Sequence, residues 1–242
     1  VSDSTESRRI IFLVTSPRLP AGLLTAEAWD LVRKYPVLAA EESSQTEALR
    51  HAGADVTVGE PDIPAMVARP GTFVWLAGPA GDQDMARALG RKLLLEPEPV
   101  TIELCYGSWD PPGARLLDAV TVTDRLRLED PWKRQQTHES LAQYMLEEAQ
   151  EAHDAIKAGN FANLREELGD VLLQVLLHAR LAEERDEAER FTVDDVAGDF
   201  VDKMVRRNPH VFSGVTVTSI EDIITNWRLI KQAEKEGREG RP

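Results

Sequence analysis

Two acidic runs carry the residue types for phosphate chemistry: Glu147-Glu148-Ala149-Gln150-Glu151 and Glu166-Glu167-Leu168-Gly169-Asp170. Glu148 and Glu151 are three apart, as are Glu167 and Asp170, and on a helix that spacing puts each pair on one face. If the two faces meet, four carboxylates converge on a volume a few ångströms across, where like charge forces some acids to hold protons. A hard divalent cation relieves the repulsion, and carboxylate oxygens are what Mg²⁺ or Mn²⁺ prefers. Mg²⁺ usually keeps several waters and completes its shell with substrate phosphates. The pattern therefore points to metal-assisted hydrolysis of a phosphate. The competing reading is a solvated helix face, common in a chain with 29% charged residues. Two details weigh against it. Residues 136–158 offer few basic partners, with Lys157 only at the end, and Glu167 and Asp170 lead straight into the apolar run Val171-Leu172-Leu173-Gln174-Val175-Leu176-Leu177.

The elements that must position these acids are two helices and one turn. Strong helix formers fill residues 136–158 and Leu164 to Leu181, with Gly159-Asn160 between them. Gly159 can take the left-handed conformation that ends the first helix, and Asn160 can cap the second. So short a connection predicts an antiparallel αα-hairpin. Counted outward from the turn, Glu151 and Glu167 come level, and Glu148 and Asp170 come level one turn further out. In the second helix Leu168, Val171, Leu172, Val175, Leu176 and Ala179 form one apolar stripe, widened by Leu173 and Leu177. A helix apolar over so much of its circumference is covered on more than one side, by a neighbouring chain or by a helix from the first half.

Basic residues come later. Lys203, Arg206 and Arg207 end a helix expected over about 193–207 and closed by Asn208-Pro209. There they either complement the helix dipole or gather triphosphate oxygens, Arg by its planar fork and Lys as a point charge. Trp227 and Lys231, four apart on the last helix, offer a base-stacking face and a further phosphate contact; ordinary core is the alternative for Trp227. His51, His138, His153, His178 and His210 have no spacing that reads as a zinc site.

Taken together, Pro131-Trp132, Gln136-Thr137-His138-Glu139-Ser140-Leu141, the EEAQE run, LREELGDVLLQV (164–175), Lys203 to Phe212 and Trp227 to Lys231 resemble the MazG family of nucleoside triphosphate pyrophosphohydrolases. The hallmark of that family, EExxE followed after a spacer by ExxD, is present in order. The resemblance spans about 129–233, roughly half the chain. Lys133 departs from it, since members often carry an acid after the Pro-Trp. The resemblance implies an all-α NTP pyrophosphatase fold, built as a homodimer or higher oligomer. It also implies Mg²⁺ (or Mn²⁺) held by Glu148, Glu151, Glu167 and Asp170, with Glu147 or Glu166 available to activate water. Attack at the α-phosphorus, giving a nucleoside monophosphate and pyrophosphate, is likewise implied by the resemblance. Lys203, Arg206, Arg207, Trp227 and Lys231 then serve the NTP or dNTP substrate.

The first half reads differently. The apolar run 10–14 and the short segments 37–40, 56–58 and 73–76 are strand candidates, alternating with helix candidates over 23–34, 44–52 and 83–95. That alternation predicts an α/β domain with a mostly parallel sheet. Leu23-Leu24-Thr25 through Ala28-Trp29-Asp30-Leu31 resembles the start of tetrapyrrole methylase-like domains, which accompany MazG domains in some proteins. In that family a glycine-rich loop approaches S-adenosylmethionine; here the loop is Thr15-Ser16-Pro17-Arg18-Leu19-Pro20-Ala21-Gly22, lacking most of those glycines. The expectation is a degenerate, non-catalytic remnant used for packing or regulation. Gly78-Pro79-Ala80-Gly81-Asp82 is a second loop able to approach a ligand or to serve as a plain turn. The Pro/Gly patch 109–113 marks the boundary, giving an α/β domain over 1–112, an all-α domain over 113–233 opened by a helix at 115–128, and a charged tail over 234–242.

A net charge of −14 argues against a broad electrostatic grip on nucleic acid, while leaving free nucleotides open. The single Cys105, read as a buried small residue, rules out an intrachain disulfide framework and fits a reducing cytoplasm. The polar start Val1 to Arg9 does not read as a signal peptide, and no apolar run has the length of a membrane span. Against the hydrolase stand a nucleotide-binding regulator without turnover, a helical interaction protein with surface acids, and a methyltransferase working through the first half.

Overall fold

A computed structural model describes residues 8–78 and 81–239. Residues 1–7 of the polar start, Pro79 and Ala80 of the second loop, and residues 240–242 lie outside the described residues. The chain divides into two compact units between Leu117 and Asp118.

The first unit is a parallel sheet with helices on both faces. Its strands are β1 (Arg8–Val14), β2 (Val37–Ala39), β3 (Val56–Val58), β4 (Thr72–Leu76) and β5 (Val100–Tyr106), in the order β3-β2-β4-β1-β5. Every pairing is parallel, with Ile10 to Leu13 of β1 set against Phe73 to Leu76 of β4. Alternation along β1 explains its unbroken apolar run, since both faces are covered. Ile11 and Leu13 pack under α1 (Ala26–Lys34) and α2 (Ser44–His51), against Ala28, Val32 and Leu49. Ile10 and Phe12 pack under α3 (Ile63–Ala68) and α4 (Gln83–Leu93), against Met66, Val67 and Leu89. Thr25 caps α1, and a reciprocal Ser43–Thr46 box caps α2.

Strand β5 and helix α3 go beyond the sequence reading. β5 is an edge strand with Ile102 and Leu104 exposed, so its apolar residues make no compact run. Cys105 on β5 is buried, and burial pushes its thiol pKa up, with Glu27 and Glu103 adding to the effect. The loop after β1 is closed by its own neighbours. The Ser16 N–H donates to Ser108 Oγ at 2.9 Å, and both the Ser16 hydroxyl and Arg18 bond Asp110.

The second unit is helical. Helix α5 (Arg115–Glu129) carries the division between units, and a 3₁₀ turn (Lys133–Gln135) follows it. Next come α6 (His138–Ala158), α7 (Phe161–Ala182), α8 (Val193–Arg207), the short α9 (Pro209–Phe212) and α10 (Ile220–Glu239). Thr137 and Ser140 cap α6 reciprocally. Gly159 ends α6 at φ 65°, where a Cβ would be strained, and the Asn160 side chain accepts from the Asn163 N–H at 3.2 Å to start α7. The two helices therefore form the expected hairpin. Its buried centre is small: Leu141, Leu177 and Leu181, flanked by Tyr144 and Leu173. The stripe expected on α7 is buried at Leu176 and Ala179 but not at Leu168, which is 54% exposed. Burial instead sets in one turn past the acids. Helix α10 runs on through residues 234–239, the stretch read as a charged tail.

Candidate functional site

The hairpin brings three of the four expected ligands together. Glu148 and Glu151 on α6 and Glu167 on α7 each offer a carboxylate oxygen, all within 4.8 Å of one another. Glu148 and Glu167 are half-buried, whereas Glu151 is exposed. Asp170 stands outside that trio, yet after burial its charge is the largest influence raising the Glu148 pKa, ahead of Glu151, Glu147 and Glu167. Burial likewise raises Glu167 first, then Glu151 by charge and by a hydrogen bond, then Asp170 and Glu166. Every charge named on these two acids is of like sign. Glu147 and Glu166 are themselves exposed and bear on the site as neighbouring charges. The arrangement suits a hard cation: it is an oxygen-only donor set, crowded, partly withdrawn from water, and electrostatically unsatisfied.

The basic residues gather elsewhere in the same unit, where α8 meets α10. Arg206 Nε donates to Glu234 Oε1 at 2.7 Å, and Arg207 donates to Glu234 Oε2 from Nη2 at 2.6 Å and from Nε at 3.1 Å. The Trp227 ring carries the Arg207 guanidinium at 5.3 Å and the Lys231 ammonium at 5.1 Å. A groove of about 570 Å³ opens there, lined by Arg207, Trp227, Arg228, Lys231, Gln232 and Glu234 among others. Trp227 is half-buried, so it is neither closed core nor a free surface ring. Lys203, one turn before Arg207 on α8, is half-buried as well.

Residues 136–212 match the profile of the MazG nucleotide pyrophosphohydrolase domain, and the acids of the hairpin lie inside that span. The helical unit carries a MazG domain. Over 236 residues, covering 93% of this chain and 63% of the relative, the sequence is 36% identical to a nucleoside triphosphate pyrophosphohydrolase of Mycobacterium tuberculosis. A protein of the same name from Mycolicibacterium smegmatis is 45% identical over 148 residues, 61% of this chain and 42% of that one. An uncharacterised 26.1 kDa protein of Streptomyces cacaoi is 52% identical over 137 residues, 57% of this chain and 56% of its own. The chain thus spans less than two thirds of each of these three relatives. The Mycobacterium match covers too much of this chain to stop at the MazG domain, so the sequence likeness extends into the first unit.

Glu234, on α10 and beyond the span that matches the MazG domain, is a residue of this site that the sequence analysis does not single out. It lies 27 positions from Arg207, so no local spacing ties the two. A signal was present, however: Trp227, Lys231 and Glu234 stand at i, i+4 and i+7, one face of a helix. The histidines also pair in a way spacing did not reveal. His138 and His178 meet Nδ1 to Nδ1 at 2.8 Å, linking the start of α6 to α7. His153 bonds Gln150 and Asp154 at 3.2 Å each.

Proposed function

We propose that this chain hydrolyses nucleoside triphosphates between the α and β phosphates, releasing a nucleoside monophosphate and pyrophosphate. The observation that carries the reading is the trio Glu148, Glu151 and Glu167, whose oxygens from two helices lie within 4.8 Å of one another with no counter-charge among the influences on Glu148 and Glu167. Those three and Asp170 hold Mg²⁺, with Mn²⁺ the alternative. When bound, the ion supplies Lewis-acid polarisation of the phosphoryl group and lowers the pKa of a bound water.

The chain's own side chains do the rest. Glu147 and Glu166, beside the ligands and exposed, are the bases placed to take a proton from the attacking water. Lys203, Arg206, Arg207 and Lys231 hold the phosphate oxygens and receive the charge that develops on the leaving pyrophosphate. Trp227 stacks on the nucleobase. The choice of bond rests on the MazG resemblance and on the names of the relatives, since the acids alone specify only phosphate hydrolysis.

The sheet unit, residues 1–112, is a methylase-like remnant without S-adenosylmethionine chemistry; the Ser16, Arg18, Ser108 and Asp110 contacts that close its first loop support a packing role. The catalytic domain over 113–233 works as a homodimer or higher oligomer in the cytoplasm, without nucleic acid or membrane. Phe161 at 79% exposure, Leu168 at 54% and Phe200 at 58% are the apolar residues such an assembly covers. No helix among the described residues is long and apolar enough to cross a membrane.

The test is product analysis with a panel of NTPs and dNTPs, with Mg²⁺ and with chelator. Monophosphate plus pyrophosphate, absent with chelator, is the expected result. Diphosphate plus phosphate overturns the α-phosphorus assignment. Nucleotide binding without turnover replaces the enzyme by a regulatory module.

A further inference from the structure

The carboxylate of Glu234 uses both of its oxygens on the two arginines, Oε1 on Arg206 and Oε2 on Arg207. A forked guanidinium pair converging on one anion is the arrangement that also holds a phosphate, which brings more oxygens and more charge. The contact is not a loose surface pair, because the side chains of Glu234 and Arg207 are each only 15% exposed. It also lies in the wall of the groove, on the same helix face as Trp227 and Lys231. We propose that Glu234 is an internal stand-in for substrate phosphate, which a nucleoside triphosphate displaces to reach Arg206 and Arg207. This rests on the reading of those arginines given above.

Two consequences follow from the geometry. Part of the binding free energy of the nucleotide is spent on releasing Glu234, so apparent affinity is lower than the arginines alone provide. Release also detaches α10 from α8 at this point, coupling occupancy of the groove to the position of Trp227 and Lys231. The carboxylate is strongly held in the free protein: the two arginines pull the Glu234 pKa down from 4.5 to about 2. A triphosphate carries enough charge to compete, whereas a monophosphate competes poorly, so the device favours substrate over product.

The experiment is calorimetric titration of the full chain with inorganic triphosphate in the presence of chelator. Wild type is compared with Glu234→Gln, with Glu234→Asp, which keeps the charge but retracts it from the arginines, and with Glu236→Gln. The last is a control for charge alone, since Glu236 bonds Gln232 at 2.9 Å on the same helix. Glu234→Gln and Glu234→Asp are expected to bind about tenfold tighter than wild type, and Glu236→Gln to match wild type. Equal or weaker binding by whichever Glu234 variant melts like wild type overturns the proposal and leaves the proposed function standing, Glu234 then being a fastening of α10 to α8. An equal gain in Glu236→Gln overturns it too, by making the effect one of net charge. Binding by none of the four proteins removes Arg206 and Arg207 from the site altogether.

Discussion

Glutamates in the two charged clusters of the helical unit titrate in opposite directions. Burial and like charge raise Glu148 and Glu167, whereas Arg207 and Arg206 draw Glu234 down to about 2. The residue type is the same, and what differs is whether the chain itself supplies the opposite charge. At the hairpin the charges acting on Glu148 and Glu167 are all of like sign, which is why we propose that a cation completes these acids. At the α8–α10 contact the chain does supply it, so the arginines are already neutralised and an incoming anion has to exchange with one in place. Crowding of like charge is what supports the proposed metal role of the first cluster. The second is recognised by its geometry, a fork closed on a carboxylate beside a half-buried tryptophan in a groove.

The largest effect is expected at the hairpin acids. Glu151→Gln keeps the size and loses the ligand charge, and it is expected to cut pyrophosphate release by roughly a thousandfold or more. Because Glu151 is exposed, the variant should fold as wild type does by circular dichroism. Full activity in that variant would remove the hairpin from the mechanism. A smaller loss is expected at the satisfied cluster. Arg207→Ala takes away one phosphate contact and the cation over Trp227, so KM for the triphosphate should rise on the order of a hundredfold. An unchanged KM with a lowered melting temperature would make Arg207 a fastening only. Trp227→Ala should raise KM by about tenfold, the scale of one lost base–aromatic stack. The decisive comparison there is with inorganic triphosphate, whose binding should not change.

Ligand addition separates the clusters without mutation. Mg²⁺ at about a hundred times its dissociation constant contributes about 2.7 kcal/mol by mass action, a rise of several degrees in the melting of the helical unit. Glu148→Gln should remove most of that rise, and Glu234→Gln should leave it intact. A rise of the same size in Glu148→Gln would place the ion elsewhere.

Much of this was legible in the sequence, for reasons that lie in local physics. Gly159 and Asn160 announced a helix end and a helix start because one position needs a positive φ and the other a side-chain acceptor, and both are local demands. The level of Glu151 with Glu167 followed from counting along two helices out of one turn. Legibility failed where partners are distant. Edge strand β5 hid its period because neither of its faces is fully buried, and α3 is a single short helix between strands. Leu168 read as core because its neighbours are apolar, yet the small buried centre of the unit lies toward Leu177 and Leu181. The helix face that Glu234 shares with Trp227 and Lys231 was legible, but its pairing with Arg206 and Arg207 was not, because a contact between α8 and α10 has no sequence period.

The smallest effect tests the opposition itself, through the pH dependence of melting in chelator. Glu148 and Glu167 have folded pKa values above the ordinary 4.5, so the folded state binds their protons better than the unfolded state does. Their contribution is fully present below 4.5 and is lost as pH rises through the folded values. Glu234 has the opposite sign: its contribution is present above 4.5 and disappears as pH falls toward about 2. Between neutrality and 4.5, then, the hairpin acids alone make the metal-free protein more stable on acidification. His178 works against them over part of that range. Burial and His138 lower its pKa below 6.5, so its contribution falls as the solution is acidified. The quantity to measure is therefore the difference between wild type and Glu148→Gln from pH 7 to pH 5. The variant should start more stable at the upper end, and the gap should narrow on acidification as wild type takes up its proton. Saturating Mg²⁺ should reverse the trend in wild type, because protons and metal compete for the same oxygens. A gap that stays constant with pH would mean that Glu148 feels no crowding, and the hairpin would then be a solvated acidic face like any other on this chain.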